Sequence, residues 1–147
     1  MVTYENVYSQ LVAFENVYTT SRPDAPDWFD AIKQESELIY QHIPFREWAM
    51  LWHFAEEEAT LEKQAELIVA AAQGRNLAEV LKLSPLAEAA YNIKYYREKE
   101  QLTQLELANK VGITQSYVAK IEKGDADITI SLFAKIREAL NQPNLSI

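Results

Sequence analysis

Between Thr114 and Lys123 the chain reads TQSYVAKIEK. Its polar side chains are of the kind that make directed hydrogen bonds: the amide of Gln115, the hydroxyls of Thr114 and Ser116, and the ammonium of Lys120. On a helix, Ser116 and Lys120 lie one turn apart, while Val118 and Ile121 fall on the other side. The spacing predicts a short helix held by a small apolar stripe, with its polar N-terminal end turned outward. Those groups reach base edges in a major groove, Gln bidentate to adenine and Lys to guanine acceptors. Other chemistry has weaker support. His42 and His53 are the only histidines. His53 with Glu56, Glu57, Glu62 and Glu66 suggests a carboxylate metal site on helices. However, di-iron bundles carry Glu-x-x-His on two helices, and here the order is reversed and occurs once. The glutamates read as a solvated face. The sequence has no Gly-rich phosphate loop, nucleophile elbow or HExxH. It gives no positive reason to expect an enzyme, a metal or a cofactor.

The elements that must position this helix follow from local signals. Thr103 is followed three residues later by Glu106, a capping box. Leu105, Ala108 and Val111 form the expected inward stripe of the helix that starts there. Gly112 lets the chain turn at low steric cost, Thr114 caps the next helix, and Gly124 ends it. Ile128, Ile130, Leu132, Phe133, Ile136 and Leu140 supply the closing core. Upstream, Ser84-Pro85 start a helix that runs to about Glu100. Residues 75–82 read as a short helix capped by Asn76.

The N-terminal stretch is helical by the same reasoning. Residues 2–19 space Tyr4, Val7, Tyr8, Leu11, Phe14 and Tyr18 as an amphipathic helix. The words YENVY and FENVY recur ten residues apart, which returns to no single helix face, so the repeat reads as chance. SRPDAPD at 21–27 is a turn. Asp27 can cap a helix from Trp28 to about His42, and Pro44 suits the first turn of the next. From there to Gln73 the chain reads as one long helix or two, stopped by Gly74. The aromatic residues at 28–54 read mainly as core. Trp48 and Phe54 cannot both face the same side as Trp52, so some aromatic surface is left over, and Trp48, Trp52 and Phe54 are the candidates for a partner or dimer surface.

Composition sets the class. Of the 147 residues 48% are apolar, with three Gly and five Pro, which favours an all-α protein with a packed core. The absence of Cys excludes disulfides and thiolate metal sites and fits a reducing cytoplasm. No apolar run is long enough to span a membrane, and the N-terminus lacks a signal pattern. Charge is uneven. Residues 1–83 hold 6 Lys/Arg against 14 Asp/Glu, and residues 84–147 hold 8 against 8. We therefore expect two parts: an acidic, aromatic helical region over 1–80 and a second domain over 84–147. The plain reading of the charge is a soluble acidic surface. The sharper one is that the acidic part binds a basic protein while the neutral part binds DNA.

The run LTQLELANKVGITQSYVAKIEKG at 102–124 resembles the helix-turn-helix of the xenobiotic-response-element class, which includes Cro proteins and lambdoid phage repressors. The resemblance covers about 93–140. It implies a bundle of five helices whose second motif helix lies in the major groove of double-stranded DNA, and a two-fold homodimer over two half-sites. By position it implies that Gln104 and Lys123 contact phosphate. It also implies that Thr114, Gln115, Ser116 and Lys120 face bases or the adjacent backbone. Tyr117 has two readings, packing at the core edge or a backbone contact. Arg97 and Glu122 fall where the class forms a structural ion pair.

Asp125 and Asp127 depart from the phage repressor pattern, since each repels nearby phosphate. EKGDADITI is instead similar to HigA-type antitoxins, and LAEAAYNIKYYREKEQLTQ is similar to their first helix. That likeness implies a repressor of its own operon that binds a small basic ribonuclease toxin, with residues 1–80, which resemble nothing recognised, covering it. The alternatives are a phage or mobile-element regulator without a toxin, and an interaction or inhibitor protein that keeps the bundle but has lost tight DNA binding.

Overall fold

Thr3, Thr60, Ser84, Thr103, Thr114 and Thr129 each stand just before a helix, and each hydroxyl accepts a hydrogen bond from a first-turn backbone N–H. Each cap satisfies a donor that the helix cannot satisfy itself, worth about 1 kcal/mol. The computed structural model describes residues 1–145, which hold helices and no β-strand. The helices are α1 (Tyr4–Thr20), α2 (Pro26–Tyr40), α3 (Phe45–Phe54), α4 (Leu61–Ala72), α5 (Pro85–Lys99), α6 (Gln104–Val111), α7 (Gln115–Glu122) and α8 (Ile130–Ala139), with a 3₁₀ turn at Leu77–Glu79. The protein is all-α. It divides into two units, Met1–Lys82 and the remainder from Leu83.

In the first unit, α1 packs on α2 and on α4. Val7, Leu11 and Phe14 from α1 meet Ala31, Leu38 and Ile39 from α2 and Ala65 and Ile68 from α4, all buried. Each large apolar side chain removed from water contributes about 1.5–3 kcal/mol. Two local expectations are corrected. Helix α2 begins at Pro26, not after an Asp27 cap, because proline in the first turn has its φ preset and lacks only an N–H that the helix leaves unused. Asp27 instead accepts a hydrogen bond from the Ser21 hydroxyl at 2.5 Å. Pro44 is the cap of α3, one position before its first turn.

The stretch 44–73 is two helices. At Ala55 the backbone turns extended, with ψ 134°. The Glu56 N–H then donates to the Lys82 carbonyl at 2.7 Å, and the Glu57 carboxylate accepts from the Lys82 N–H at 2.9 Å. Those bonds replace the helical ones, and Thr60 starts α4 afresh. Among the described residues no group of three or more His, Asp or Glu converges as a metal site. Glu57, Glu62 and Glu66 are instead engaged by the Lys82 N–H, the Tyr8 hydroxyl and Lys63.

Tyr18 joins α1 to α2 by donating its phenol to Glu35. Burial pushes this phenol above its ordinary value, and the Glu35 hydrogen bond and charge add to the shift. The folded unit therefore favours the neutral phenol. Its contribution is complete below the unfolded value near 10 and is lost as pH rises above it. Thermal unfolding followed by Trp fluorescence should show a Tm falling above about pH 10. The fall should be shallower in Tyr18→Phe.

In the second unit, Ala89 and Ile93 of α5, Leu107 and Ala108 of α6, Val118 and Ile121 of α7, and Phe133, Ile136 and Leu140 at α8 form one buried cluster. The described residues hold four of the five helices that the resemblance implies. Two apolar expectations fail here. Leu105 is 57% exposed and Ile130 is 85% exposed. Helix α6 starts at Gln104, so its inward arc runs through Gln104, Leu107, Ala108 and Val111. The polar Gln104 takes the inward first-turn place, and Leu105 points to water. On α8 the inward arc begins at Phe133, and Ile130 projects from the first turn.

Candidate nucleic-acid interface

Helices α6 and α7 are joined by a turn at Gly112, whose φ of 84° is left-handed and costs glycine no steric penalty. The Gly112 and Ile113 N–H groups both return to the Ala108 carbonyl, at 2.8 and 3.0 Å, which closes the end of α6. Thr103 and Glu106 form both halves of the capping box at its start. A short helix thus fixed at both ends holds α7 against it.

On α7 the inward face is Val118, Ile121 and Glu122, all buried. Gln115, Ser116 and Lys120 are exposed, as is Lys123 just past the helix end. Thr114 is also exposed, and its oxygen accepts the Tyr117 N–H at 3.1 Å, which leaves its hydroxyl proton to donate outward. Tyr117 is half-buried against the core, and its phenol donates to the Asp127 carbonyl at 3.0 Å. This side chain anchors the loop after α7 and packs at the core edge.

A charged hydrogen-bond chain fixes the remaining geometry. Arg97 of α5 grips Glu122 as a fork: Nε lies 2.5 Å from Oε1 and Nη2 lies 3.2 Å from Oε2. Both residues are buried. The third guanidinium nitrogen donates to the Leu102 carbonyl at 2.7 Å, so the pair also holds the turn between α5 and α6. Glu122 Oε2 further accepts from Gln104 Nε2 at 2.7 Å, and Gln104 Oε1 accepts from Gln115 Nε2 at 2.8 Å. A carboxylate only accepts and a guanidinium only donates. Gln104 must therefore turn its NH₂ to Glu122 and its carbonyl to Gln115. Gln115 must spend one N–H on Gln104, which leaves its carbonyl and second N–H for a ligand. One donor and one acceptor on a single amide is the set that matches adenine N7 and N6 in the major groove.

The bridging of Gln104 to Gln115, and its inward direction, are features that sequence reasoning missed. A glutamine at the inward first-turn position of α6 was the available signal. Trp48, Trp52 and Phe54, in the first unit, are half-buried. Trp48 packs on that unit's core and meets Trp52 edge-to-face at 5.7 Å. The exposed aromatic rings of that unit are Tyr4, Phe29, Tyr40 and Phe45.

The second unit carries 8 Lys/Arg against 8 Asp/Glu, and among the described residues most of these charges lie outside ion pairs. Arg97 is consumed by Glu122 and Glu98. Among the described residues Lys94, Lys99, Lys110, Lys120, Lys123 and Lys135 make no ion pair, and Lys99 only approaches the rings of Tyr95 and Tyr96. No helix in the described residues is long and apolar enough to cross a membrane.

The comparisons agree with this geometry. The helix-turn-helix family profile matches residues 93–143, from within α5 past the end of α8. An uncharacterized HTH-type transcriptional regulator of Methanocaldococcus jannaschii is 43% identical over 44 residues, which is 30% of this chain and 67% of that protein. No solved structure matches the chain. With α6, the Gly112 turn and α7 in place and the profile spanning them, the chain belongs to the helix-turn-helix family of the Cro and phage-repressor class.

Proposed function

We propose that this protein is a DNA-binding transcriptional repressor that acts as a homodimer on two half-sites, with α7 in the major groove of each. The observation that carries this reading is the division of α7. Val118, Ile121 and Glu122 are buried, while Gln115, Ser116 and Lys120 are exposed at one end. Gln115 and Lys120 read base edges, Thr114 and Ser116 face bases or the adjacent backbone, Lys123 lies toward phosphate, and Gln104, bonded inward to Glu122, orients the Gln115 amide. Asp125 and Asp127 oppose tight binding by one copy, so two copies on one site supply the affinity.

A gel-shift titration against a random-sequence library at low salt tests this. A selected two-fold sequence is the expected outcome. Binding without preference would overturn the reading and leave an interaction protein that keeps the fold. On the selected site Lys123→Ala should weaken all sequences alike and lower the salt slope by about 1, because one phosphate contact is lost.

A finer reading, that the repressor is an antitoxin, is supported by the 14 acidic against 6 basic residues over 1–83. A small basic protein encoded beside this one should then form a complex with the full chain that dissociates as salt rises. Absence of that complex would leave the DNA reading standing, as a phage or mobile-element regulator.

A further inference from the structure

The first unit presents a row of large apolar side chains that its own core does not use. Phe29 is 58% exposed, Ile32 36%, Tyr40 37% and Phe45 63%. Phe29 and Tyr40 lie about three turns apart on the outer face of α2, opposite the buried Ala31 and Leu38. Phe45 extends the row, its ring edge-on to Tyr40 at 5.6 Å. Such a row is an association surface, and the question is what occupies it.

The charges on the same face choose the occupant. Lys33 and Ser36 lie between Phe29 and Tyr40, with Glu37 beside them. Lys33 and Glu37 are exposed, and neither makes an ion pair among the described residues. When two copies of one helix pair antiparallel about a two-fold axis, residues equidistant from the centre on either side face each other. With the centre between Lys33 and Ser36, Phe29 meets Tyr40 of the second copy, and Lys33 meets Ser36 and Glu37 of the second copy. The small Ser36 at the crossing lets the backbones approach. The row is thus self-complementary in shape and charge, in a unit whose acidic excess opposes self-association elsewhere.

We propose that the outer face of α2, with Phe45, is the homodimer interface of this protein, built from Phe29 against Tyr40 and Lys33 against Glu37 across a two-fold axis. The inference deepens the homodimer reading above and rests on it for its role. It places the interface in the first unit, away from Trp48, Trp52 and Phe54.

Sedimentation of the full chain at micromolar concentration, without DNA, tests it. Wild type should be a dimer. Phe29→Asp should be a monomer. Lys33→Glu and Glu37→Lys, each alone, set like charges against each other across the axis and should raise the dimer Kd at least about tenfold. Mixing the two single variants should restore a dimer, because each then meets the opposite charge in the other. All these side chains are exposed, so circular dichroism at low temperature should show every variant folded, with melting lowered only by the loss of dimerisation. A monomeric wild type, a dimer indifferent to Phe29→Asp and Lys33→Glu, or no rescue on mixing would overturn the interface. The selected DNA sequence separates the two proposals. Specific DNA binding by a dimer that ignores these variants sinks this face alone. Disruption by Phe29→Asp in a protein with no sequence preference sinks the repressor reading alone.

Discussion

Glu122→Ala is expected to destabilise the second unit by about 3–5 kcal/mol, because it strands the buried Arg97 guanidinium in a site that admits little water. Small domains hold only about 5–15 kcal/mol in total, so DNA binding should fall with the fold. Arg97→Ala should cost a similar amount by stranding the carboxylate. The two losses should not add: Arg97→Met with Glu122→Leu removes both charges and should be more stable than either single alanine variant. Urea unfolding by circular dichroism measures this. All three tryptophans, Trp28, Trp48 and Trp52, lie in the first unit, so the fluorescence transition provides an internal reference. An Arg97→Ala and Glu122→Ala pair with additive effects would show that the fork is a surface-like pair and not a buried unit.

The second large effect concerns what is read. Gln115→Ala should erase the preference at one base pair of each half-site, about 1–3 kcal/mol of discrimination or roughly 5- to 150-fold. Lys120→Ala should relax a different position by a similar factor. Gln104→Ala removes the partner that orients the Gln115 amide, at 2.8 Å. It should loosen the same base pair as Gln115→Ala while leaving the position read by Lys120 intact. Competition gel shifts with single-base operator variants read all three. If Gln104→Ala weakens every operator variant equally, its role is a phosphate contact only, and the chain from Glu122 does not set base preference.

Where the sequence was readable and where it was not has a physical pattern. Threonine and serine caps at 84, 103 and 114, and the turn at Gly112, are decided by a few adjacent residues, and the structure places them where local spacing puts them. The Arg97–Glu122 pair came through family likeness, because its partners are far apart in the chain. The failures lie where tertiary packing overrides a residue's usual habit. Its apolar character points Leu105 inward, yet Gln104 takes that place because a buried carboxylate calls for a donor there. Ile130 is a comparable miss at the start of α8. In the first unit the density of aromatic residues signalled leftover apolar surface but not which rings, since α2 and α3 each carry rings on more than one face. The break after Phe54 was also undecidable locally: Lys82, far along the chain, supplies the bonds that end the helix.

The separation of duties along α7 bears on how such a protein can change its target. The Ser116 and Lys120 side chains are exposed, and Gln115 reaches the buried Glu122 only through Gln104. On the proposed reading, a change of operator therefore asks for substitutions at outward positions that leave the buried face of α7 as it is.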